Sequence, residues 1–464
     1  MFAYVYDSGL PELDALAGRA AELARPLNGL DPLAFPSIAA MERDLVAFVR
    51  RAVNGHVRRA GGPVVGTVTS GGTESCLLAV KTARELWRRD HPEHPGRPRL
   101  VAPVTAHAAF QKAARLLDLE WDPVACGPDG SVRAADLVSR LDRDVALVVV
   151  SAPAYPSGTI DPIATVSDAA LARGISCHVD ACFGGLALPW WPETPVWDFR
   201  NPGVTSLSAD LHKYGYAPKG VSVLLHRGRA RRRAQFFATT RWPGYPVVNP
   251  TLLGSRSAAP VAAAWAITQR LGPEGFQQLT AACVRATRQI AHAVGGIRGL
   301  AVLGAPLGPA LALIADPSVP VGERVDPHRL ADAVGRLGFK IQHQPGFTQA
   351  NGIRLPRSAH LSITPVTEHL ARDFAVALAN AADAVRGQGR PAVGAPLAAL
   401  RALGYGERGR VPGPTAAWAI LRSLGIRKNT LPGDQAGLMA LVEELPAPVA
   451  EALLVELLGR TGEP

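Results

Sequence analysis

The stretch SADLHKYGYAPKG, residues 208–220, follows a short apolar run and is itself typical of neither a helix nor a strand. It holds Lys213 and Lys219, two of only six lysines among the 49 basic residues of the chain. Arginine is therefore the default cation of this protein. Lysine can form an imine with a carbonyl compound and arginine cannot, so these two lysines are candidates for a chemical role.

Short apolar runs alternate with helix-like stretches over residues 64–226. The predicted strands are VVGTVTS (64–70), RLVAPVTAH (99–107), VALVVVSAP (145–153), ISCHVDACF (175–183), VTSLSAD (204–210) and VSVLLH (221–226). Continuous β-rich runs separated by helices predict an α/β fold with a largely parallel sheet covered on both faces. Ligands of such sheets bind at the carboxyl ends of the strands, and Lys213 follows one of these ends.

The chain of 464 residues is long enough for several packed units. We predict an N-terminal helical segment (1–60), a large α/β domain (61–295), a smaller C-terminal α+β domain (296–388) and a helical C-terminal extension (389–464). The extension shows two or three helical patterns, and its role is not evident from the residues.

Composition narrows the possible partners. The net charge of +10 would fit a nucleic-acid binder, but the basic residues are scattered and their densest run, HRGRARRR (226–233), lies inside a predicted domain. An anionic substrate, an acidic partner surface or a solvated face explains the charge without nucleic acid.

The five cysteines are widely spaced and form no CxxC pair. A disulfide framework or a zinc site is therefore not expected, and we predict no bound metal. No apolar run approaches the roughly 20 residues that span a bilayer, and the N-terminus lacks a signal pattern. We therefore expect a cytoplasmic protein without an integral membrane segment.

Residues 69–75, TSGGTES, lie where a predicted strand becomes a helix. The free N–H groups at such a helix start, with the hydroxyls of Thr73 and Ser75, can hold a phosphate group. An ordinary capped turn is the alternative for this motif alone.

Two further strand ends carry chemistry. Asp180, in HVDAC, can keep a pyridine nitrogen protonated, and His107, in THAAF, can lie flat over a ring, although each alone could also be a structural cap. A phosphate cradle, a strand-end acid and a strand-end lysine occur in this order. Together they indicate pyridoxal 5'-phosphate, bound as an imine to Lys213.

Long motifs of the chain resemble those of the sphingosine-1-phosphate lyase family, fold-type-I pyridoxal-phosphate enzymes related to the amino acid decarboxylases. They are TSGGTES, APVTAHAAFQKAA, SAPAYPSGTIDPI, HVDACFGG, GVTSLSADLHKYGYAPKG and LGSR. The similarity runs from about residue 6 to about residue 364 and weakens after about residue 385. It implies a fold-type-I large domain with a mostly parallel, seven-stranded-type sheet.

The resemblance also implies roles for individual residues. Lys213 would anchor the cofactor, Asp180 would pair with its pyridine nitrogen and His107 would stack on its ring. The residues implied around the cofactor phosphate are Gly72, Thr73, Ser208 and His212. The family forms homodimers with shared active sites, so the segment around Gly244 would reach the neighbour's cofactor.

The reaction implied by the resemblance is cleavage of a carbon–carbon bond in a phosphorylated long-chain amino alcohol, giving a fatty aldehyde and phosphoethanolamine. Tyr6 and Cys182 match an N-terminal tyrosine and an active-site cysteine of the family and are catalytic candidates. Lys219 matches a second lysine near the site, and we count it with Arg256 and Asp31 as candidates for substrate contact.

Substrate motifs depart from the family more than cofactor motifs do. In NGLDPLAFPS (28–37), Asp31 stands where the family commonly has histidine, and a carboxylate there would repel a substrate phosphate. Tyr245, Val247 and Ser157 are further departures. The alternatives are therefore an amino acid decarboxylase or a lyase for another, non-phosphorylated β-hydroxy amine. Arg256 and Arg354 are candidates to bind either anion, a phosphate or a carboxylate. A catalytically silent subunit is a third interpretation.

Overall fold

The structure is a computed structural model that describes residues 2–30, 33–57, 60–405, 410–426 and 435–463. Asp31 lies outside the described residues.

Two helices open the chain, α1 (Pro11–Ala24) and α2 (Pro36–Ala52). Each begins with a proline in its first turn, where the missing N–H has no helical partner to lose. They bury one apolar face each, including Leu13 and Leu45, against the body of the protein. Both helices were predicted from the sequence.

The core of the large domain is a seven-stranded sheet. Its strands in chain order are β1 (Val64–Thr69), β2 (Arg99–Pro103), β3 (Glu120–Val124), β4 (Val145–Ser151), β5 (Ser176–Asp180), β6 (Ser206–Ala209) and β7 (Ser222–Arg227). The spatial order is β1-β7-β6-β5-β4-β2-β3, and β7 runs antiparallel to both of its neighbours. The strands β4 and β5 are buried along their whole length, as continuous apolar runs predict. The predicted α/β class with a mostly parallel sheet is confirmed.

Helices and a hairpin surround this sheet. They are α3 (Gly72–Asp90), α4 (Ala109–Leu116), α5 (Ala134–Val138), α6 (Ile163–Ala172), the 3-10 turn Leu188–Trp190, α7 (Arg229–Arg233) and the hairpin of β8 (Phe237–Thr239) and β9 (Val247–Asn249). The long helix α8 (Ala259–Gly295) then leads away from the sheet, with a kink at Gly272, where φ is +57°, directly before Pro273.

The next unit is a four-stranded antiparallel sheet covered by helices. Its elements are β10 (Leu300–Val302), β11 (Ala310–Ala315), the 3-10 turn Val321–Glu323, α9 (Pro327–Arg336), β12 (Gln342–Gln344), a hairpin of β13 (Phe347–Thr348) and β14 (Arg354–Leu355), β15 (Ser358–Ser362) and α10 (Thr367–Val385). The sheet order is β10-β11-β15-β12. This matches the α+β character predicted for this part of the chain.

The C-terminal extension contains four helices rather than two or three. They are α11 (Gly394–Ala402), α12 (Pro414–Ser423), α13 (Gln435–Glu444) and α14 (Ala447–Thr461). They share an apolar cluster that includes Leu400, Leu421 and Leu453. Within the described ranges, no helix is both long and apolar enough to cross a membrane.

Candidate active site

The carboxyl ends of the parallel strands open onto one cavity of about 570 Å³. Its walls come from the chain start, the turn into α3, the residues after β2, β4, β5 and β6, and the start of β12. The lining includes Tyr4, Tyr6, Ser70 to Glu74, Cys76, His107, Ser151, Tyr155, Asp180, Cys182, Phe183, Asp210, His212, Lys213, Lys219 and Gln342. Most residues that the sequence singled out therefore meet in one place.

Lys213 is held by a carboxylate at the end of β6. Its Nζ atom lies 3.0 Å from Oδ2 of Asp210, whose side chain is almost wholly buried. Burial lowers the pKa of Lys213, but the attraction of Asp210 outweighs it and leaves the pKa above its ordinary value. Burial likewise raises the pKa of Asp210, and Lys213 overcomes this and brings it below the usual carboxyl range. The pair is ionised in the cofactor-free chain.

Asp180 presents a prepared carboxylate to the same cavity. Its Oδ1 atom accepts a hydrogen bond from the Cys182 backbone N–H at 3.0 Å and one from the Ser208 hydroxyl at 3.4 Å. Among the described residues Oδ2 has no hydrogen-bond partner. Behind Ser208, the ring of His178 receives support at both nitrogens from Ser206 and Ser208. The carboxylate is therefore fixed in orientation with one oxygen left for a ligand.

The start of α3 is open toward the cavity. The first N–H groups of any helix have no partner within the helix, and no side chain caps them here, so they are available to a ligand. A Cβ atom on Gly72 would lie 2.7 Å from Oδ2 of Asp210 and 2.8 Å from the Cys182 sulfur. Only glycine fits at this approach, and the helix start can receive an anion.

His212 and Thr73 flank this helix start. The Nδ1 atom of His212 accepts hydrogen bonds from the N–H groups of Gly220 and Val221, which leaves its Nε2 as the protonated nitrogen facing Asp210 at 3.4 Å. Thr73 is exposed to the cavity. Ser75 differs from the expectation, because its hydroxyl is buried in contacts with Thr69 and Ser222 and does not reach the cavity.

His107 also lines the cavity, and it is exposed. Its Nδ1 atom accepts the backbone N–H of Ala109 at 3.1 Å, so the ring is held by the start of the following helix. This arrangement combines the two interpretations of the motif, since the histidine acts as a local cap and still presents a free ring face.

Aromatic rings form the wall near the chain start. Tyr6 packs edge-on against Tyr214 and Phe183, and the Nζ atom of Lys219 lies 4.5 Å from the centre of the Tyr6 ring. Burial raises the pKa of Tyr6 well above its ordinary value, so its hydroxyl keeps its proton. Lys219 also donates to the backbone oxygen of His212 at 3.0 Å. Tyr6 is therefore available as a proton donor beside a second cation.

Cys182 lies under the floor of the cavity next to Cys76. A hydrogen bond with Cys76 and burial raise the pKa of Cys182 well above the ordinary thiol value. The Cys182 thiol in turn donates to the Ser208 hydroxyl at 3.2 Å. It is a neutral, bonded group in this state and helps to position Ser208 and Asp180.

Three predicted residues lie away from this cavity in their own chain. Gly244 is in the exposed turn between β8 and β9. Arg256 lines a separate cavity and pairs with Glu42 at 2.5 Å. Arg354 pairs with Glu443 in the C-terminal extension at 3.0 Å. A substrate role for Arg256 and a reach of Gly244 into a neighbouring site stay predictions.

The sequence analysis gave no role to Asp210, Tyr155 or Gln342, which also line the cavity. Asp210 lies inside the quoted lysine motif, and its spacing of three residues from Lys213 was the available signal. Tyr155 donates its hydroxyl to the side-chain oxygen of Gln342 at 2.7 Å, which joins the large domain to β12. Nothing in the spacing of 187 residues between them indicates this contact.

The donor set fits pyridoxal 5'-phosphate on structural grounds. The open start of α3 with its glycine suits a phosphate, the unpaired oxygen of Asp180 suits a protonated ring nitrogen, and Lys213 suits a covalent anchor. The fold and the site together define a fold-type-I pyridoxal-phosphate enzyme.

Comparisons with known proteins agree. The pyridoxal-dependent decarboxylase conserved domain matches residues 4–296. A sphingosine-1-phosphate lyase of Dictyostelium discoideum is 36% identical over 77% of this chain and 63% of its own length. One of Arabidopsis thaliana is 33% identical over 86% of this chain and 70% of its own. The solved structure of the sphingosine-1-phosphate lyase of Burkholderia pseudomallei has a TM-score of 0.75 at 33% identity, covering 86% of this chain and 87% of that one.

The chain belongs to the pyridoxal-dependent decarboxylase family and, within it, to the sphingosine-1-phosphate lyase group. Its cofactor is pyridoxal 5'-phosphate. The chain spans 63% and 70% of the length of the two curated relatives. A second match, to a pyridoxal-dependent enzyme, C-terminal putative HTH domain, covers residues 391–460 and corresponds to α11 to α14.

Proposed function

We propose that the protein is a carbon–carbon lyase that cleaves a phosphorylated long-chain amino alcohol, such as sphingosine 1-phosphate, to a fatty aldehyde and phosphoethanolamine. The observation that carries the proposal is the composition of the cavity. An anchoring lysine, a carboxylate and an open helix start share it with a second cation, Lys219, and with the aromatic wall of Tyr6 and Phe183.

The residues that would hold the cofactor are Lys213, Asp180, His107 and the helix start at Gly72. When bound, pyridoxal 5'-phosphate supplies an electron sink for the charge released when a bond to the amine-bearing carbon breaks. The chain contributes orientation. The fixed carboxylate of Asp180 and the hydrogen-bonded ring of His107 would orient the cofactor, and this orientation would select the bond that breaks.

Two groups that line the cavity are the candidates for proton transfer. The Nζ atom of Lys213 is the candidate base, because Oδ2 of Asp210 at 3.0 Å stabilises the ammonium that forms when it accepts the hydroxyl proton. The Tyr6 hydroxyl is the candidate acid, because burial keeps it protonated. The two roles are separated by the electrostatics of the site.

Lys219 is the candidate contact for the substrate phosphate. It is exposed at the cavity wall, and its ammonium has no carboxylate partner among the described residues. The aromatic side chains beside it would receive the apolar chain of the substrate. Arg256 and Asp31 are not needed for this arrangement within one chain.

We further propose that the protein is a cytoplasmic homodimer. Segment 237–253 leaves an unusual number of large apolar side chains exposed: Phe237, Trp242, Tyr245, Val248, Leu252 and Leu253. Such a patch around Gly244 is typical of a protein interface. All five cysteines are buried and free, which suits a reducing compartment.

An amino acid decarboxylase is the second candidate. The family match is to a decarboxylase domain, and the two reactions share the cofactor and differ in which bond stands perpendicular to its ring. Lys219, which lines the cavity, suits either a phosphate or a carboxylate, so it is compatible with both candidates.

The test is mass spectrometry of products after the cofactor-loaded protein is incubated with sphingosine 1-phosphate. We expect a long-chain aldehyde and phosphoethanolamine, both lost in Lys213→Ala. Lys112→Ala is the matched control, since Lys112 is exposed on α4 outside the cavity and its replacement should leave turnover intact.

Carbon dioxide release from amino acids without aldehyde formation would replace the lyase by the decarboxylase. Activity on an unphosphorylated sphingoid base equal to that on its phosphate would remove the proposed role of Lys219. If the wild type shows no turnover with any of these substrates and Lys213→Ala loses only the visible cofactor band, the protein is a catalytically silent subunit.

A further inference from the structure

A second cavity lies at the opposite edge of the large sheet. It has a volume of about 470 Å³ and is formed by the beginnings of β4 and β5, the end of the antiparallel strand β7, the last turn of α3 and α7. Ser176, at the start of β5, lines it, whereas Asp180, at the end of the same strand, lines the Lys213 cavity. At a rise of about 3.3 Å per residue these two residues are about 13 Å apart, so the cavities are separate.

The walls of this cavity carry a large excess of positive charge. Its arginines are Arg89, Arg143, Arg173, Arg227 and Arg231. The carboxylate in its lining is Asp90, which is already bonded to the neighbouring Arg89 at 2.8 Å. We call this the arginine cavity. The excess charge is concentrated in a concave site, unlike the scattered basic residues elsewhere in the chain.

Arg231 is held in the wall of the arginine cavity by a neutral hydrogen-bond partner. Its Nη1 atom donates to the Ser176 hydroxyl at 2.8 Å, and no carboxylate within the described ranges contacts it. Burial and the repulsion of Arg89 lower the pKa of Arg231 to about 10, with only partial relief from Asp90. A guanidinium in this situation gains strongly from an added anion, since both desolvation and repulsion are then offset.

Arg227 provides a rigid part of the wall. Its Nε and Nη2 atoms donate to the backbone oxygens of Val204, Phe199 and Asn201 at 2.9 to 3.1 Å. Arg143 and Arg173 are less constrained. Arg143 makes one long ion pair with Asp144, at 3.6 Å, and Arg173 donates to the backbone oxygen of Ala169. A fixed and an adjustable set of guanidinium groups therefore surround the same space.

We propose that the arginine cavity is a binding site for a small organic phosphate, distinct from the active site. Several forked guanidinium groups around one space can bind the oxygens of a phosphate dianion, which carries more charge and more acceptor oxygens than a carboxylate. The volume lies in the range of small-molecule sites rather than of flat protein interfaces. Apolar residues such as Leu86, Leu171 and Ile175 in the lining provide contact for an organic group.

Calorimetric titration and thermal unfolding of the cofactor-loaded protein test the site, because pyridoxal phosphate then fills the phosphate cradle of the active site. The probes are inorganic phosphate, phosphoethanolamine and phenyl phosphate, each compared with chloride at equal ionic strength. We expect a rise of Tm with each phosphate, and a Kd weakened about tenfold or more in Arg231→Gln, which loses a charged hydrogen bond.

Arg229→Gln is the matched control. It removes the same charge from the same short helix, but Arg229 is exposed and does not line the cavity. We expect it to bind phosphate as the wild type does, and both variants to keep the cofactor band. Equal phosphate affinity in Arg231→Gln and Arg229→Gln would overturn the proposal, as would no stabilisation beyond that by chloride.

Should Arg231→Gln fail to fold, Arg231→Lys keeps the charge and loses the fork. A clear loss of affinity in Arg231→Lys supports the site, and unchanged affinity overturns it. Tighter binding of phenyl phosphate than of inorganic phosphate supports an organic ligand. Equal affinities for phenyl phosphate and inorganic phosphate would overturn the assignment of an organic ligand and would indicate a site for free phosphate.

Discussion

The Nζ atom of Lys213 lies 3.0 Å from Oδ2 of Asp210, three residues earlier in the chain. Each member of this pair would be costly to bury alone. Asp210 is almost fully enclosed, and Lys213 is mostly enclosed when the cofactor is absent. In the cofactor-free protein the pair therefore keeps the anchoring amine charged, and the same carboxylate would stabilise the Lys213 ammonium whenever the amine is released and accepts a proton.

This relationship predicts a strong thermodynamic coupling. In the cofactor-free protein, Asp210→Asn should lower the free energy of unfolding by about 3 kcal/mol, because it leaves an uncompensated buried charge. The double variant with Lys213→Met should recover much of that loss. Urea denaturation of the wild type, both single variants and the double variant measures the coupling. Additive effects would show that the two groups do not form a pair.

The close approach at the start of α3 predicts a steric effect on cofactor binding. A Cβ atom in Gly72→Ala would lie 2.7 Å from Oδ2 of Asp210, so the helix start must move away from the strand ends. Strain of this kind typically costs 1 to 3 kcal/mol, and we expect the Kd for pyridoxal phosphate to rise about tenfold. Absorbance titration of the cofactor-free protein measures it.

Gly18→Ala is the control for this prediction. Gly18 lies within α1, and a Cβ atom there would meet no atom within 4 Å. It should leave cofactor affinity unchanged and slightly favour the helix. A Gly72→Ala protein with wild-type affinity would mean that the turn adapts without cost and that the phosphate is held elsewhere.

One buried carboxylate gathers several of the contacts between the C-terminal extension and the small α+β unit. The side chain of Glu443, at the end of α13, has no exposed surface and contacts Arg354, Arg357 and Arg390. It also accepts the backbone N–H of Gly346 at the start of the β13–β14 hairpin. Its loss would take the carboxylate partner of Arg354 and one of two carboxylate partners from both Arg357 and Arg390.

We therefore expect Glu443→Gln to release the extension. The cost should be about 3 kcal/mol, the usual loss when one member of a buried charge cluster is removed. Limited proteolysis should then cut within residues 389–435 at a protease concentration that leaves the wild type intact. Glu444→Gln, one residue on, removes a more exposed pair with Arg390 and should cost less than about 1 kcal/mol. Equal protease resistance of the two variants would contradict the role of Glu443.

The large sheet was predictable from sequence except at its edge. The strands β4 and β5 are apolar along their length because helices cover both faces, and this signal needs no tertiary information. The sequence analysis missed β3 (Glu120–Val124). Its residues are mostly exposed or half-buried, it contains Pro123, and it pairs with a neighbour only through β2. An edge strand with a solvated face carries no apolar run to detect.

The site was predictable where each strand end delivers its own side chain. Lys213, Asp180 and His107 could be placed at one sheet edge because parallel strands present their carboxyl ends together. Contacts between distant segments could not be placed. Gln342 reaches Tyr155 across 187 residues, and Glu443 meets Arg354 across 89. These depend on how the domains pack, which no local spacing records.

Buried neutral histidines predict how stability depends on pH. His360, in β15, is fully enclosed beneath the Tyr155 ring, and burial lowers its pKa from 6.5 to about 3. Above pH 6.5 both the folded and the unfolded states hold it neutral, and its contribution to stability is complete. As the pH falls below 6.5 the unfolded state takes up a proton that the folded state refuses, so stability declines until the pH approaches about 3.

The expected loss for one such histidine between pH 7.5 and pH 5.5 is about 1.4 kcal/mol. Burial also lowers the pKa of His226 to about 3 and that of His178 to about 4, so both act in the same direction.

His360→Gln should therefore lose about 1.4 kcal/mol less of its free energy of unfolding than the wild type over this pH interval, whatever its absolute stability. Urea denaturation at both pH values, with saturating cofactor, measures the difference. His56→Gln is the control, because His56 is exposed to solvent. Identical pH dependence in the wild type and His360→Gln would mean that water or a proton reaches the His360 ring in the folded state. The packing of Tyr155 against β15 would then not exclude solvent from this histidine.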